Sequence, residues 1–94
     1  MITAIVNFPL PDDVDVAKAQ AMFEQTAPRY KDMPGLVRKY YIFQEGTGGG
    51  VYLWENREAA EAVYSGEWRE RIKSHYGAEP KITYYESPVI VDNS

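Results

Sequence analysis

Three segments of this chain are rich in aromatic and β-branched residues, and none of them alternates cleanly between apolar and polar: Leu36–Glu45 (LVRKYYIFQE), Val51–Glu55 (VYLWE) and Lys81–Glu86 (KITYYE). Such residues favour strands, and successive side chains of a strand fall on opposite faces. Here both parities carry large groups. Tyr40, Ile42, Leu53, Ile82 and Tyr84 lie on one, and Tyr41, Phe43, Tyr52, Trp54 and Tyr85 on the other. A sheet that is wet on one side reads hydrophobic in, polar out. This sheet therefore needs cover on both faces, which constrains the fold more than any other feature of the chain.

The remaining segments say what the cover is. Ile2–Phe8 (ITAIVNF) reads as a strand stopped by Pro9-Leu10-Pro11. Asp12, Asp13 and Asp15 then supply acceptors and negative charge at a helix N-terminus. Ala19, Met22, Phe23, Ala27 and Tyr30 form the apolar stripe of a helix running to about Asp32, with a kink or an early end near Thr26 caused by Pro28. Gly46–Gly50 reads as a flexible hairpin link between strands two and three. Asn56 caps a second helix over Arg57–Tyr64, Ser65-Gly66 bends it, and Glu67–His75 resumes it with Trp68 and Ile72 four apart. The order β-α-β-β-α-β is that of the ferredoxin-like split βαβ unit: a four-stranded antiparallel sheet with two helices on one face. At 94 residues the expectation is a single α+β domain over 1–94. For so small a domain the economical cover of the second face is another copy, so a homodimer is expected. The tail's Val89, Ile90 and Val91 add apolar surface that a partner could share.

Charge and composition exclude several function classes. Fourteen acids against ten bases leave a net charge of −4, and binding to phosphates depends on clustered Lys and Arg; neither nucleic acid nor a membrane surface is an expected partner. The chain has no cysteine and one histidine, His75, so thiolate chemistry and multi-histidine metal centres are out of reach, and no metal or cofactor is expected. The Gly46–Gly50 run matches neither G-x-G-x-x-G nor the Walker pattern, and the aspartate cluster lacks the glycine and glutamate of an EF-hand. With apolar stretches of only a few residues, and with Met1–Phe8 lacking the basic flank and small-residue cleavage site of a signal peptide, the expected location is the cytoplasm.

The order of elements, Pro34-Gly35 opening an aromatic second strand, the passage GGGVYLWENREAAEAV at Gly48–Val63 and the closing GAEPKITYYESPVIVDN at Gly77–Asn93 together resemble the small monooxygenases of the dimeric α+β-barrel superfamily. That superfamily includes the antibiotic-biosynthesis monooxygenases. The resemblance implies two ferredoxin-like protomers packed sheet to sheet, each with a pocket between sheet and helices. It also implies a cofactor-independent oxygenase that holds a small aromatic, quinol or polyketide-type substrate beside Asn and Trp side chains and activates it as an anion. On that pattern Asn7 matches the asparagine position and Trp54 the aromatic position late in strand three. Haem-degrading relatives carry a histidine and a tryptophan on the second helix; here His75 falls nearly a turn late, and Val63 or Tyr64 stands where the tryptophan belongs.

Five residues are thus candidates for a site: His75 and Asn7 as catalytic groups, with Trp54, Tyr64 and Trp68 as substrate contacts. Imidazole is the side chain that titrates near neutrality, so His75 suits a base, or equally a cap on the last carbonyls of its helix. The Asn7 amide suits an oxyanion donor or the backbone of the following proline loop. Trp54 faces either the helices or the opposite side, because the hairpin register is open. Arg38 and Lys39 put one cation on each face of strand two. The alternative to an enzyme is a non-catalytic dimeric barrel that binds a small apolar ligand or serves a stress or regulatory role.

Overall fold

The computed structural model describes residues 1–94. Its elements are β1 (Ile2–Pro9), α1 (Val16–Thr26) continued by a 3₁₀ turn at Ala27–Arg29, β2 (Leu36–Gln44), β3 (Thr47–Trp54), α2 (Arg57–Val63), α3 (Gly66–Tyr76) and β4 (Lys81–Glu86). The caps are those the side chains favour. Asp15 accepts from the Lys18 amide and Asn56 from the Ala59 amide, each at 2.8 Å, which satisfies backbone donors left free at a helix start. Pro28 lacks the amide hydrogen that an α-helix would need there, and α1 gives way to the 3₁₀ turn at Ala27. Gly77, at φ 84°, closes α3 in the left-handed conformation.

The strands form one sheet in the order β2-β3-β1-β4, with every neighbouring pair antiparallel. This is the ferredoxin-like α+β fold. Ala4, Val6 and Phe8 of β1 and Tyr52 and Trp54 of β3 are buried on the helix side, in one cluster with Phe23 of α1 and Trp68, Ile72 and Tyr76 of α3. Ile82 and Tyr84 pair with Val6 and Ala4 and pack against that same cluster. They therefore share a face with Tyr52 and Trp54, not with Tyr40, Ile42 and Leu53 as strand-by-strand grouping suggests. A bulge between Leu36 and Arg38 shifts the alternation in β2, so that Leu36, Lys39, Tyr41 and Phe43 come to lie opposite Trp54, Tyr52, Gly50 and Gly48.

The glycine run is strand, not link. Gly48, Gly49 and Gly50 are buried within β3 and pair with both β1 and β2, leaving a turn at Glu45-Gly46. The reason is space: a Cβ on Gly48 would lie 2.8 Å from Leu10 Cδ1 and 3.0 Å from Phe8 Cε1, and one on Gly50 would lie 2.9 Å from Tyr52 Cε1. The large side chains beside these positions fill the volume that a β3 side chain would occupy.

The other face of the sheet carries Thr3, Ile5 and Asn7 of β1, Tyr40 and Ile42 of β2, Val51 and Leu53 of β3, and Tyr85 of β4. No helix covers it. Tyr40 and Tyr85 are 56% and 54% exposed. The segment after β4 crosses this face to the opposite edge: Ser87 hydrogen-bonds Thr3, Val89, Ile90 and Val91 border a shallow cavity with Val51 and Leu53, and Asp92 pairs with Arg38 of β2 at 3.3 Å.

Candidate functional site

The most developed cavity, about 490 Å³, lies between the end of α1 with its 3₁₀ turn and α3. Trp68, Ile72 and Tyr76, buried residues of α3, and the half-buried Tyr30 and Met33 make its floor. The exposed Arg29, Arg71 and His75 stand at its rim, with Gln25, Thr26 and Ser74 between them. On α3 the lining recurs at positions 68, 71, 72 and 75, one stripe of an α-helix. The Trp68 indole donates to the Tyr30 hydroxyl at 2.9 Å, which ties α3 to the chain beyond the 3₁₀ turn. His75 meets the Tyr76 ring edge-on, centroids 4.6 Å apart.

The tyrosines around this floor are donors and packing groups rather than anions. Burial pushes the Tyr41 and Tyr76 phenols up to about 12, and drives Tyr52 and Tyr64 further in the same direction. Thr26 Oγ1 donates to the Phe23 carbonyl at 3.1 Å and lies 2.8 Å from the Tyr41 hydroxyl, whose proton therefore has an acceptor. Phe23 and Tyr41 stack at 4.7 Å, and Phe8 and Tyr76 at 4.1 Å. Such ring pairs contribute beyond their buried area and pack the core behind the floor.

Of the five candidate residues, the structure brings His75 and Trp68 to this cavity. Trp54 faces the helices, which resolves the register, but it is 0% exposed. Its indole donates to the Tyr64 hydroxyl at 3.1 Å, and neither residue lines the cavity. They form the core behind it. Asn7 does not join them, contrary to a pocket shared by Asn7, Trp54 and His75. It pairs with Gly49 and Lys81 on the uncovered face, and borders a small cavity of about 120 Å³ with Ile42 and Thr47. The cause is alternation: Ala4, Val6 and Phe8 fill the helix side, so Ile5 and Asn7 must point the other way. No three His, Asp or Glu side chains gather anywhere in the chain as metal ligands would.

Sequence reasoning missed Arg29 and Arg71 at the rim, although Arg71 shares a helical stripe with Trp68 and His75. It also left open what Lys39 does. The Lys39 amine points to the helix side, with its Nζ 3.3, 3.8 and 4.5 Å from the ring centroids of Tyr30, Tyr41 and Tyr52. Burial lowers it to about 6. A lysine on the same parity as Tyr41 in an aromatic strand was the available signal.

Neither a protein-family model nor a curated protein sequence matches the chain. Solved structures do. A protein of unknown function from Nitrosomonas europaea superposes with a TM-score of 0.76 at 13% identity, over 99% of this chain and 94% of that one. A monooxygenase from Streptomyces coelicolor, solved with nanaomycin D, gives 0.71 at 20% identity, over 99% and 92%. A cofactor-independent oxygenase from Streptomyces nogalater gives 0.65 at 14% identity, over 96% and 95%. The chain thus has the fold of the antibiotic-biosynthesis-monooxygenase-like proteins over nearly its whole length.

Proposed function

We propose that the chain is a cofactor-independent monooxygenase acting on a small phenol, quinol or polyketide-type aromatic bound in the cleft between α1 and α3. The observation that carries this reading is the convergence of Arg29, Arg71 and His75 on a cavity floored by Trp68, Tyr30 and Tyr76. A floor that includes Trp68, Tyr30 and Tyr76 suits an aromatic ring. The Arg29 guanidinium, with Arg71 beside its Glu67 partner at 3.0 Å, favours its anion, and the imidazole at the rim takes the proton that forms the anion. An electron-rich anion supplies the electrons for oxygen itself: for an anthrone, a CH₂ group and O₂ become a carbonyl and water. The nanaomycin D complex of the Streptomyces coelicolor neighbour and the cofactor-independent activity of the Streptomyces nogalater one support the assignment.

Two copies joined through their uncovered sheet faces form the working unit in this reading. Exposed Tyr40, Tyr85 and Ile90 with Ile5, Val51 and Leu53 make an apolar patch that a lone protomer leaves in water.

The test is oxygen uptake by the purified protein with a panel of anthrones and hydroquinones, alongside thermal shifts with the same compounds. Turnover above buffer is expected, reduced about tenfold or more in Arg71→Gln, since a charge-assisted hydrogen bond contributes roughly 1.5–3 kcal/mol. Absence of both turnover and thermal shift across the panel refutes the proposal. A thermal shift without oxygen uptake favours the second reading, a ligand-binding barrel with no reaction.

A further inference from the structure

Two cavities meet at one side chain. The α1–α3 cleft of about 490 Å³ and a second cavity of about 410 Å³ between the 3₁₀ turn and β2 have a single lining residue in common, Tyr30. On the cleft side its hydroxyl accepts from the Trp68 indole at 2.9 Å. On the other side its ring face lies 3.3 Å from Lys39 Nζ, which is also 3.8 Å and 4.5 Å from the ring centroids of Tyr41 and Tyr52, in a cage of three tyrosines. Of the two cavities, Trp68 lines the cleft and Lys39 and Tyr41 line the second. The half-buried Tyr30 ring is therefore what separates them. It is braced edge-on by Tyr41 and Tyr52, with centroids 6.3 Å and 5.7 Å away, and its amide donates to the Ala27 carbonyl at 3.1 Å while its carbonyl accepts from the Met33 amide at 3.3 Å.

A ring held at its hydroxyl, on one face and at its edges keeps its place in a packed interior. We propose that Tyr30 is a specificity-determining residue: it is the end wall of the ligand site, which limits the cleft to aromatics no longer than the cleft itself and shuts out longer aromatic acids whose carboxylate would reach Lys39. The inference rests on the α1–α3 cleft being where an aromatic ligand binds. The chemistry beyond the wall names what is shut out. The charged groups there are Lys31, Asp32, Arg38 and Lys39, three cations and one acid. Arg38 is engaged by Asp92, whereas the ion pairs of the chain use Lys18, Arg38, Arg57 and Arg71 and leave Lys39 without a carboxylate. Removing the Tyr30 ring joins the two cavities and takes one face from the Lys39 cage. The amine then meets water, in which a lysine is an ammonium ion, and it can pair with an acid at the far end of a ligand seated in the cleft.

The experiment is calorimetric titration of the full chain, without oxygen so that binding is read apart from any turnover. The probes are 4-hydroxybenzoate and 4′-hydroxybiphenyl-4-carboxylate, which carry the same phenol and carboxylate and differ by one ring, so the rim arginines act on both alike. Wild type is expected to gain less than about threefold in affinity from the second ring, because the wall leaves that ring in water. Tyr30→Ala is expected to gain at least about tenfold, as burial of an aromatic ring gives, and Tyr30→Phe, which keeps the wall, is expected to behave as wild type. Lys39→Met added to Tyr30→Ala is expected to lower that gain. Tyr30→Leu, shorter than the wall but apolar, is expected to act as Tyr30→Ala does and replaces it if circular dichroism shows that the alanine variant does not fold. The proposal is overturned if the second ring contributes equally in wild type and in the shortened variant, or if Lys39→Met leaves the gain untouched. A wild-type gain of tenfold or more also overturns it, on the unaltered chain alone. In those cases binding of 4-hydroxybenzoate leaves the cleft standing as a ligand site, whereas binding of neither probe overturns the wall and the cleft together.

Discussion

The Trp54–Tyr64 contact is a sensitive place to test the packing behind the cleft. Trp54 is 0% exposed and Tyr64 6%, and the indole N–H has the Tyr64 hydroxyl as its acceptor at 3.1 Å. Tyr64→Phe removes that acceptor and almost no volume. It leaves the indole donor enclosed by Tyr52, whose ring lies parallel 6.0 Å away, and by the phenyl ring that remains at position 64. An unpaired buried donor costs about 1–3 kcal/mol, which for a chain of this size lowers Tm by about 4–8 °C per kcal/mol. Urea unfolding followed by circular dichroism, at one protein concentration because any association adds to stability, measures it. Trp54→Phe is expected to cost more, since it also leaves a cavity, and the double variant is expected to cost less than the sum of the two single changes. Tyr64→Phe within about 0.5 kcal/mol of wild type would refute the reasoning. So would an unchanged stability joined to a tenfold loss of aromatic-ligand affinity, which would place Tyr64 in the ligand's contacts instead of in the core.

Gly48→Ala is expected to destabilise by about 1–3 kcal/mol in the same assay, as the new Cβ meets Leu10 and Phe8 below van der Waals distance. Leu53→Glu, on the uncovered face, is expected to shift the species seen by sedimentation velocity at micromolar concentration from dimer to monomer; a wild-type chain that sediments as a monomer refutes the two-copy arrangement. With the folded Lys39 at about 6 and the unfolded side chain near its usual ~10.4, the native state binds fewer protons than the unfolded chain between those values. Stability therefore rises with pH across roughly 6 to 10 and is lost as pH falls toward 6. Lys39→Met is expected to flatten that slope, and an unchanged slope in denaturation at several pH values would show that the amine is not desolvated.

Element order was legible because the signals are local. Pro28, Asn56, Asp15 and Ser65-Gly66 each act on backbone groups within a turn of themselves, so the caps, the 3₁₀ ending and the break between α2 and α3 appear where the residues put them. What lay outside reach depends on pairing between distant strands. Whether Trp54 faced the helices turned on the partners of β3, and whether Gly48–Gly50 was link or strand turned on the size of Phe8 and Leu10, far earlier in the chain. The bulge at Leu36/Arg38 changes which residues of β2 share a face, and no local signal announces it. Asn7 shows the limit of reading a site from matching positions: the match names a residue type on a strand, while the face it occupies follows from Ala4, Val6 and Phe8 filling the other.

Parity also divides the chemistry of the chain in a way that a list of polar residues would not reveal. Arg38 and Lys39 are neighbours in sequence and opposite in environment. The first, on the exposed face, donates to Tyr40 at 3.1 Å and pairs with Asp92, which hold its guanidinium charged and anchor the tail across the sheet. The second is half-buried with its amine over three tyrosine rings, and partial loss of water lowers it to about 6. Tyr30 stands between that amine and the cleft, its ring over Lys39 and its hydroxyl bonded to Trp68. A ligand that moves Tyr30 from either side must therefore break the Trp68 bond or uncover the Lys39 cage. Occupancy of the cleft is then expected to shift the titration of Lys39 followed by NMR, while Tyr30→Phe, which keeps the ring and drops the hydroxyl, should loosen that link without opening the cage.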